Sequence, residues 1–470
     1  MSVRRDKLAQ RRVAMGFSQE SLAERLGVDR TTVGRWETGM GAPLATLRPD
    51  LAKALDLTLD ELNNLLDPES TALGSPANHS QILHGARSVD SEFTSPDWTP
   101  IDPASVVDPP WTVAGALRVL HALSGGSVDR RAFLSITGGT LTGLAGQWGS
   151  TLASVPLPIA PAETQDGRLS PEMLDHLDQR LAQLRRLDDI VGGRDLCQLA
   201  VAEFRYLTHL ADHASYDTAT GQRLFALITD AAGLCGWLHY DAARHNAAQY
   251  YYAAALRTST IANDPLVGAH ILVRMSALAA NTGKQHEAID MLEAAEQQSK
   301  RFATPRLRSL LGCTKARVYA KGGYAKACQY SLNDAERALD AAKPDTEEPG
   351  WLYYYDEPDL NEHVSACWID LRQPRKARPH IDDSLTKIDP SMVRDKALRY
   401  VRSAETHLLA SDLELACDDL RAASDIARRT GSTRLVMMIH NTRRAMSAHD
   451  KEPRVQDLDR RLTTLTALTT

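Results

Sequence analysis

Four polar residues within one short stretch carry the most legible chemistry of this 470-residue chain: Arg30, Thr31, Thr32 and Arg35. On a helix they would form a face of two guanidiniums and two hydroxyls with no long apolar side chain. A guanidinium is permanently charged and presents a planar fork of donors suited to paired acceptors. Such a face recognises a partner by hydrogen bonding; it does not make or break bonds. Patterns for bond chemistry are missing elsewhere. There is no GxxxxGK[ST] loop, no HExxH, no GxSxG and no acidic calcium loop, and the glycines between 138 and 146 lack GxGxxG spacing. Fifteen histidines in a chain of this length place some near Asp or Cys by chance. We expect no enzyme, no cofactor and no metal.

The elements that must hold this face are written around it. The run SQESLAERLGVDRTTVGRWETG, residues 18–39, reads as two short helices joined by a tight turn. Ser18 can cap the first, whose apolar stripe is Leu22, Ala23 and Leu26. Gly27 ends it. Asp29 can cap the second, which turns Val33 and Trp36 inward and stops at Gly39. Upstream, Leu8, Met15 and Phe17 should pack on this pair. Downstream, Leu51, Leu55, Leu59 and Leu62 should close the core, giving five short helices within residues 3–66.

Gly16-Phe17-Ser18-Gln19-Glu20, Leu22-Ala23, Leu26-Gly27-Val28, Thr32-Val33, Trp36-Glu37 and Gly39 together resemble the helix-turn-helix of the phage-repressor (XRE) type, over roughly residues 4–66. The stretch 47–62 is similar to that family's fourth and fifth helices. The resemblance implies that the second helix of the motif enters the DNA major groove. It puts Arg30, Thr31 and Arg35 at base-reading positions, Ser18 and Gln19 at a phosphate, and Thr32 at a phosphate or cap. Arg can chelate guanine O6 and N7, and a Thr methyl suits the thymine methyl. The resemblance also implies an ion pair between Arg12 and Glu37. Two features depart from it. Gly34 interrupts the recognition helix, and the loop after Gly39 reads Met-Gly-Ala-Pro-Leu-Ala where many relatives carry Lys or Arg. One domain alone should therefore bind weakly and depend on dimerisation.

Charge is distributed to match. Residues 1–66 hold 10 Lys/Arg and 9 Asp/Glu within a chain of net charge −6, and the basic residues crowd Arg4, Arg5, Lys7, Arg11 and Arg12. The acidic remainder would discourage DNA from wrapping onto it. The six cysteines are scattered without CxxC pairs, which fits free thiols in a reducing cytoplasm. The N-terminus is too polar for a signal peptide, and no apolar run reaches the roughly 20 residues a membrane helix needs.

Past residue 66 the character changes. Residues 67–112 carry seven prolines and few periodic apolar positions, and read as an extended linker in which Trp98 and Trp111 are candidates for docking. Residues 113–169 read as a helical connector. It contains Arg130-Arg131 and Phe133-Leu134, a pattern similar to a twin-arginine export signal but placed behind a whole domain.

Residues 170–470 read as helical throughout. A phrase recurs in GKQHEAIDMLEAAEQ, GYAKACQYSLNDAERAL, QPRKARPHIDDSLTKI and DLELACDDLRAASDIA. Aligned on Ala288, Ala327, Ala377 and Ala416, it resembles degenerate tetratricopeptide (TPR) repeats, stacked helical hairpins of an α-solenoid. The insertion PDTEEPGWLYYYDEPD, 344–359, widens one period. Such an array curves into a concave groove, for which Asn246, Tyr250, Trp351 and Tyr354 are the candidate effector or partner residues.

The fold class is thus all-α: a five-helix DNA-binding domain, a Pro-rich linker and a TPR-like solenoid. The expected function is a cytoplasmic, sequence-specific transcriptional regulator. It would bind double-stranded DNA at a near-palindromic operator as a homodimer, with the repeats sensing a peptide, small molecule or protein. The alternative is an antitoxin-like scaffold whose repeats do the main work and whose DNA binding serves only autoregulation.

Overall fold

The computed structural model describes residues 6–15, 17–26, 28–38, 43, 48–55, 57, 62, 101–125, 135–152, 168–343 and 345–466. The chain divides into two compact units, 1–94 and 95–470, and among the described residues no strand is present.

The first unit contains α1 (Asp6–Ala14), α2 (Gln19–Leu26), α3 (Arg30–Glu37) and α4 (Arg48–Ala54). Leu62 is helical, and the rest of the expected fifth helix, Leu59 included, lies outside the described residues. Leu8, Leu22, Leu26, Val33, Trp36, Leu51 and Leu55 are all buried in one core, with Met15 and Phe17 only partly buried against it. The loop after Gly39 and most of the expected linker, Trp98 among it, also lie outside the described residues.

The second unit opens with α5 (Ala104–Val107), α6 (Val113–Gly125) and α7 (Gly138–Thr151). Its start corrects the sequence-based linker, because residues 101–112 are packed. Buried Arg257 donates to the carbonyls of Val106 at 3.0 Å, Val107 at 2.5 Å and Pro109 at 2.7 Å, and its guanidinium covers the Trp111 ring. Trp111 Nε1 donates to Gln147. α5 is a single turn, so the carbonyls of its last residues and of Pro109 after it have no partner within it and are available to a distant guanidinium. The Arg130-Arg131 and Phe133-Leu134 pattern lies outside the described residues.

After α8 (Pro171–Asp188) and α9 (Gly193–His213) come five helical hairpins. They pair α10 (Thr218–Asp241) with α11 (His245–Ala262), α12 (Pro265–Asn281) with α13 (Gln285–Ser299), α14 (Pro305–Lys321) with α15 (Ala325–Asp340), α16 (Glu357–Asp370) with α17 (Pro374–Lys387), and α18 (Val393–Leu409) with α19 (Leu413–Thr430). Finally α20 (Thr433–Ala445) and α21 (Pro453–Thr466) finish the array.

Every hairpin turns on the same device. A residue with positive φ stands at Ala243, Gly283, Gly323, Arg372 and Ser411. The amide following each donates to the carbonyl five residues back, as in Lys284 to Ala279 and Asp412 to His407. This is the Schellman arrangement, which satisfies the carbonyls left over at a helix end. Five residues after each positive-φ position stands a fully buried small residue: Ala248, Ala288, Cys328, Ala377 and Ala416. The third of these corrects the sequence register, since Cys328, and not the half-buried Ala327, occupies the close-approach position.

The array does not stay open. It curls until its ends touch. Gly192 N donates to Thr430 O at 2.5 Å, and a Cβ at Gly192 would meet that oxygen at 2.5 Å, so only glycine permits the approach. Arg394, 206 residues on from Asp188, forms a buried ion pair with it at 2.6 Å. Asp241, fully buried at the end of α10, accepts from Ser432 Oγ at 3.0 Å and from Arg434 Nε at 3.2 Å.

Candidate functional site

The recognition face is built by caps and one buried network. Asp29 stands at the N-cap of α3 in extended conformation and accepts from the backbone N of Thr31 at 2.8 Å and from Thr31 Oγ1 at 2.7 Å. These hydrogen bonds, the hydroxyl first, hold the Asp29 carboxyl below its usual pKa. The Thr31 hydroxyl is therefore turned to the cap, which leaves its methyl as the group available to a partner. Ser18 caps α2 in the same way, accepting from Ser21 N at 3.0 Å.

Val33, Trp36 and Glu37 are buried on the inner side of α3, while Arg30 and Thr31 are exposed and Thr32 is half-buried. Arg35 lies one helical turn beyond Thr31 on α3; its side chain lies outside the described residues.

Behind this face Arg12 joins α1 to α3. Arg12 Nε donates to Glu37 Oε1 at 2.6 Å, and its Nη1 donates to Phe17 O at 2.7 Å, which fixes the chain between α1 and α2. Gln19, read from sequence as a phosphate contact, donates one amide hydrogen to Glu37 Oε2 at 2.6 Å. One carboxylate thus gathers groups from α1 and α2 onto the end of α3. Arg11 Nε donates to Leu55 O and ties α1 to the end of α4. The sequence points to Arg12 and Glu37, but not to Gln19 as the third member, because its position at a helix start suggests outward use.

The second unit holds a different kind of site. The curl of the hairpins encloses a cavity of about 270 Å³, among whose walls are Trp237, Arg274, Arg317, Trp351, Tyr353 and Tyr354. The 344–359 insertion is folded into it. Trp351 stacks on His270 with ring centroids 4.4 Å apart, Tyr354 Oη lies 3.0 Å from His270 Nε2, and Tyr353 Oη donates to Asp189 Oδ2 at 2.8 Å. Burial raises the Asp189 carboxyl to about 6. Burial, with Arg274 adding to it, drives the His270 imidazole well below its ordinary pKa, so it is neutral.

Of the four groove candidates, Trp351 and Tyr354 therefore line one cavity. Tyr250 is a correction: it is fully buried, and its hydroxyl donates to Ile101 O at 3.0 Å. Tyr251 and Tyr252 are buried as well, since successive residues on a helix point about 100° apart and α11 is enclosed on all sides. Asn246 is half-buried at the start of α11 and is not part of the cavity wall. The arginines that dominate the wall carried no signal in the sequence, because they come from five separated helices.

The remaining chemistry is sparse. All six cysteines are buried and none forms a disulfide. Among the described residues no cluster of His, Cys, Asp and Glu could hold a metal, and no helix is long and apolar enough to cross a membrane.

Comparison with known proteins places the first unit. Residues 8–62 match the helix-turn-helix family. Over 77 residues the chain is 36% identical to the HTH-type transcriptional activator BcrR of Enterococcus faecalis, a stretch that covers 16% of this chain and 37% of that protein. The chain thus spans well under two thirds of that relative. No solved structure matches. The N-terminal segment is a helix-turn-helix domain of the XRE type, joined to a helical-hairpin array that the family match does not reach.

Proposed function

We propose that this chain is a sequence-specific, DNA-binding transcriptional regulator of the cytoplasm. The observation that carries the reading is the construction of α3. Its inner side is locked by Val33, Trp36 and the Arg12–Glu37 pair, while Arg30 and Thr31 are exposed, within residues that match a helix-turn-helix family. The relative named a transcriptional activator supports the same class. In this reading α3 lies in the major groove, Arg30 and Arg35 chelate guanines, and Thr31 offers its methyl to thymine. The TPR-like array joins two copies, placing two α3 helices about one DNA turn apart, roughly 34 Å, on a near-palindromic operator. An effector held by the array biases that arrangement.

Footprinting of the full-length chain across its genome tests the reading. Several near-palindromic sites support it. One site at its own promoter favours an autoregulated scaffold instead. Arg30→Ala and Arg35→Ala should each reduce discrimination at one base pair by about 1–3 kcal/mol while leaving the fold intact. Full discrimination in both variants would remove the groove assignment.

A further inference from the structure

We propose that the cavity inside the curled hairpin array binds a small planar aromatic anion, a single ring or fused-ring system bearing a carboxylate or comparable acidic group. The proposal rests on the effector-sensing part of the function proposed above and names the ligand class of that site.

Eight cationic side chains line the cavity against five carboxylates. Most of the cations are already answered: Arg394 by Asp188, Arg399 by Asp359, Arg402 by Glu362 and Arg434 by Asp241. Arg185 and Arg317 face Asp230 and Asp370, just outside the wall. Arg274 is different. Among the described residues it has no carboxylate partner. Its Nε donates to His270 Nε2 at 3.3 Å, and its Nη1 is buried with no hydrogen-bond partner. A half-buried guanidinium held by a neutral imidazole and the Tyr252 and Tyr354 hydroxyls, with one buried nitrogen unbonded and no carboxylate at ion-pair distance, can answer an incoming anion. Lys321, on the same wall, likewise has no ion-pair partner among the described residues.

Trp237, Tyr240, Tyr252, Trp351, Tyr353 and Tyr354 all contribute to the wall. The guanidiniums of Arg274, Arg394 and Arg434 lie 5.1, 5.3 and 5.1 Å from the Trp237 ring centroid. Flat rings and flat guanidiniums stack on flat ligands, and the site offers both.

A volume of about 270 Å³ is just below the range of roughly 300–1,000 Å³ usual for small-molecule sites. The Gly192–Thr430 and Asp188–Arg394 contacts close the array across its ends. The site is partly open, and its volume suits a small molecule better than an extended peptide.

The test is calorimetric titration of the full-length chain with benzoate, 2-naphthoate and indole-3-carboxylate, each against its own carboxamide. At least one carboxylate should saturate at one per chain, at least tenfold tighter than the matched amide. Arg274→Met should bring acid and amide to within twofold of each other, Arg274→Lys should restore part of the preference, and Trp351→Leu should weaken both. Unchanged circular dichroism of each variant excludes misfolding as the cause. No saturation by any acid at millimolar concentration, equal binding of acid and amide, or a preference that survives Arg274→Met would overturn the proposal. Operator binding with the saturating acid then separates the two readings. Binding without any change in operator affinity leaves the ligand class standing and removes the effector role.

Discussion

Arg394 and Asp188 meet at 2.6 Å although 206 residues separate them, and both are almost fully buried. Arg394 Nη1 also donates to the Asp188 carbonyl at 3.0 Å, and Trp237 Nε1 donates to Asp188 Oδ2 at 2.7 Å. The pair converts an open array into a closed one. Burial raises the Asp188 carboxyl pKa and the guanidinium opposes it, so the carboxylate depends on its partner to remain charged.

Losing the guanidinium should therefore cost more than the pair itself is worth. Arg394→Met strands a buried carboxylate, and a destabilisation of about 3–5 kcal/mol is expected. Asp188→Asn leaves the shape and leaves the guanidinium with Asp395, 3.3 Å from its Nε, as its remaining ion-pair partner. The double variant should be less destabilised than the sum of the two by about 1–3 kcal/mol. Chemical denaturation of the three variants measures this. Additive effects would show that the two side chains do not act as a closure.

In the first unit the corresponding dependence falls on Glu37. It accepts from Arg12 Nε and from Gln19 Nε2, each at 2.6 Å. Glu37→Ala leaves the Arg12 charge buried and releases Gln19, with an expected cost of about 3 kcal/mol. Hydrogen exchange of the full chain should show faster exchange across α1 to α3 and no change in α10 to α19. Unaltered protection in α1 and α3 would mean that apolar packing alone holds the domain.

How much of this was legible depended on the range of the signal. The α2–turn–α3 unit is written in local chemistry, in Ser18 and Asp29 as caps and Leu22, Leu26, Val33 and Trp36 as one buried side, so its sequence reads directly. The hairpin repeat was half legible. Gly283 and Gly323 mark their turns, but Ala243, Arg372 and Ser411 occupy the same left-handed position without a glycine to announce it. The packed segment 101–112 was misread as linker because what orders it is Arg257, some 150 residues away. The cavity was invisible for the same reason. Its arginines look like surface charges until the array curls and turns them inward, as with Arg394 on α18 and Arg434 on α20.

Those non-glycine turns make a stability prediction. Arg372 has φ 58° and Ser411 φ 64°, and both side chains are exposed, so neither gains from packing. A left-handed non-glycine residue costs roughly 1–2 kcal/mol. Glycine removes that strain but enlarges the unfolded ensemble, an opposing effect of roughly 0.4–1 kcal/mol. Arg372→Gly and Ser411→Gly should each stabilise by about 0.5–1 kcal/mol, seen as a raised denaturation midpoint. Gly283→Ala, at φ 83°, should do the reverse. A midpoint lowered by both glycine variants would contradict this account of the turns.

The buried imidazoles of the second unit should make a stability contribution that is lost in acid. His239 is fully buried, its Nδ1 lies 2.7 Å from the Cys235 carbonyl, and burial lowers its pKa to about 4. His270 and His363 are lowered for the same first reason, His363 to about 4. A depressed histidine favours the folded state above its unfolded pKa near 6.5, and that advantage is lost as pH falls from 6.5 towards 4. For His239 it amounts to roughly 3 kcal/mol at full titration. Asp189 acts in the opposite sense. Raised to about 6, it favours the folded state at low pH and loses that contribution as pH rises through 6. Burial raises Asp188, Asp230 and Asp359 as well, and they act with Asp189, so the imidazole share of the urea midpoint is read by difference against a variant. His239→Gln should lower stability at pH 7.5 and remove its share of the slope below 6.5. A slope unchanged by the substitution would place the acid sensitivity elsewhere.

Gly34 separates helix stability from DNA contact. A Cβ built there meets only the Gln19 side chain, at 3.8 Å to Nε2 and 3.9 Å to Oε1, which is ordinary van der Waals contact. Gly34→Ala therefore introduces no clash, and the usual preference of a helix interior for alanine should stabilise α3 by up to about 1 kcal/mol. Gly34 stands one turn beyond Arg30 and shares its side of α3, but one methyl beside Gln19 is short compared with the arginine, so operator affinity should stay within about twofold if Arg30 sets how closely DNA approaches α3. Exchange protection in α3 and operator titration read the two effects independently. Slower exchange with operator affinity lost by tenfold or more would mean that DNA approaches α3 along the Gln19 edge, and that Gly34 is there to admit it.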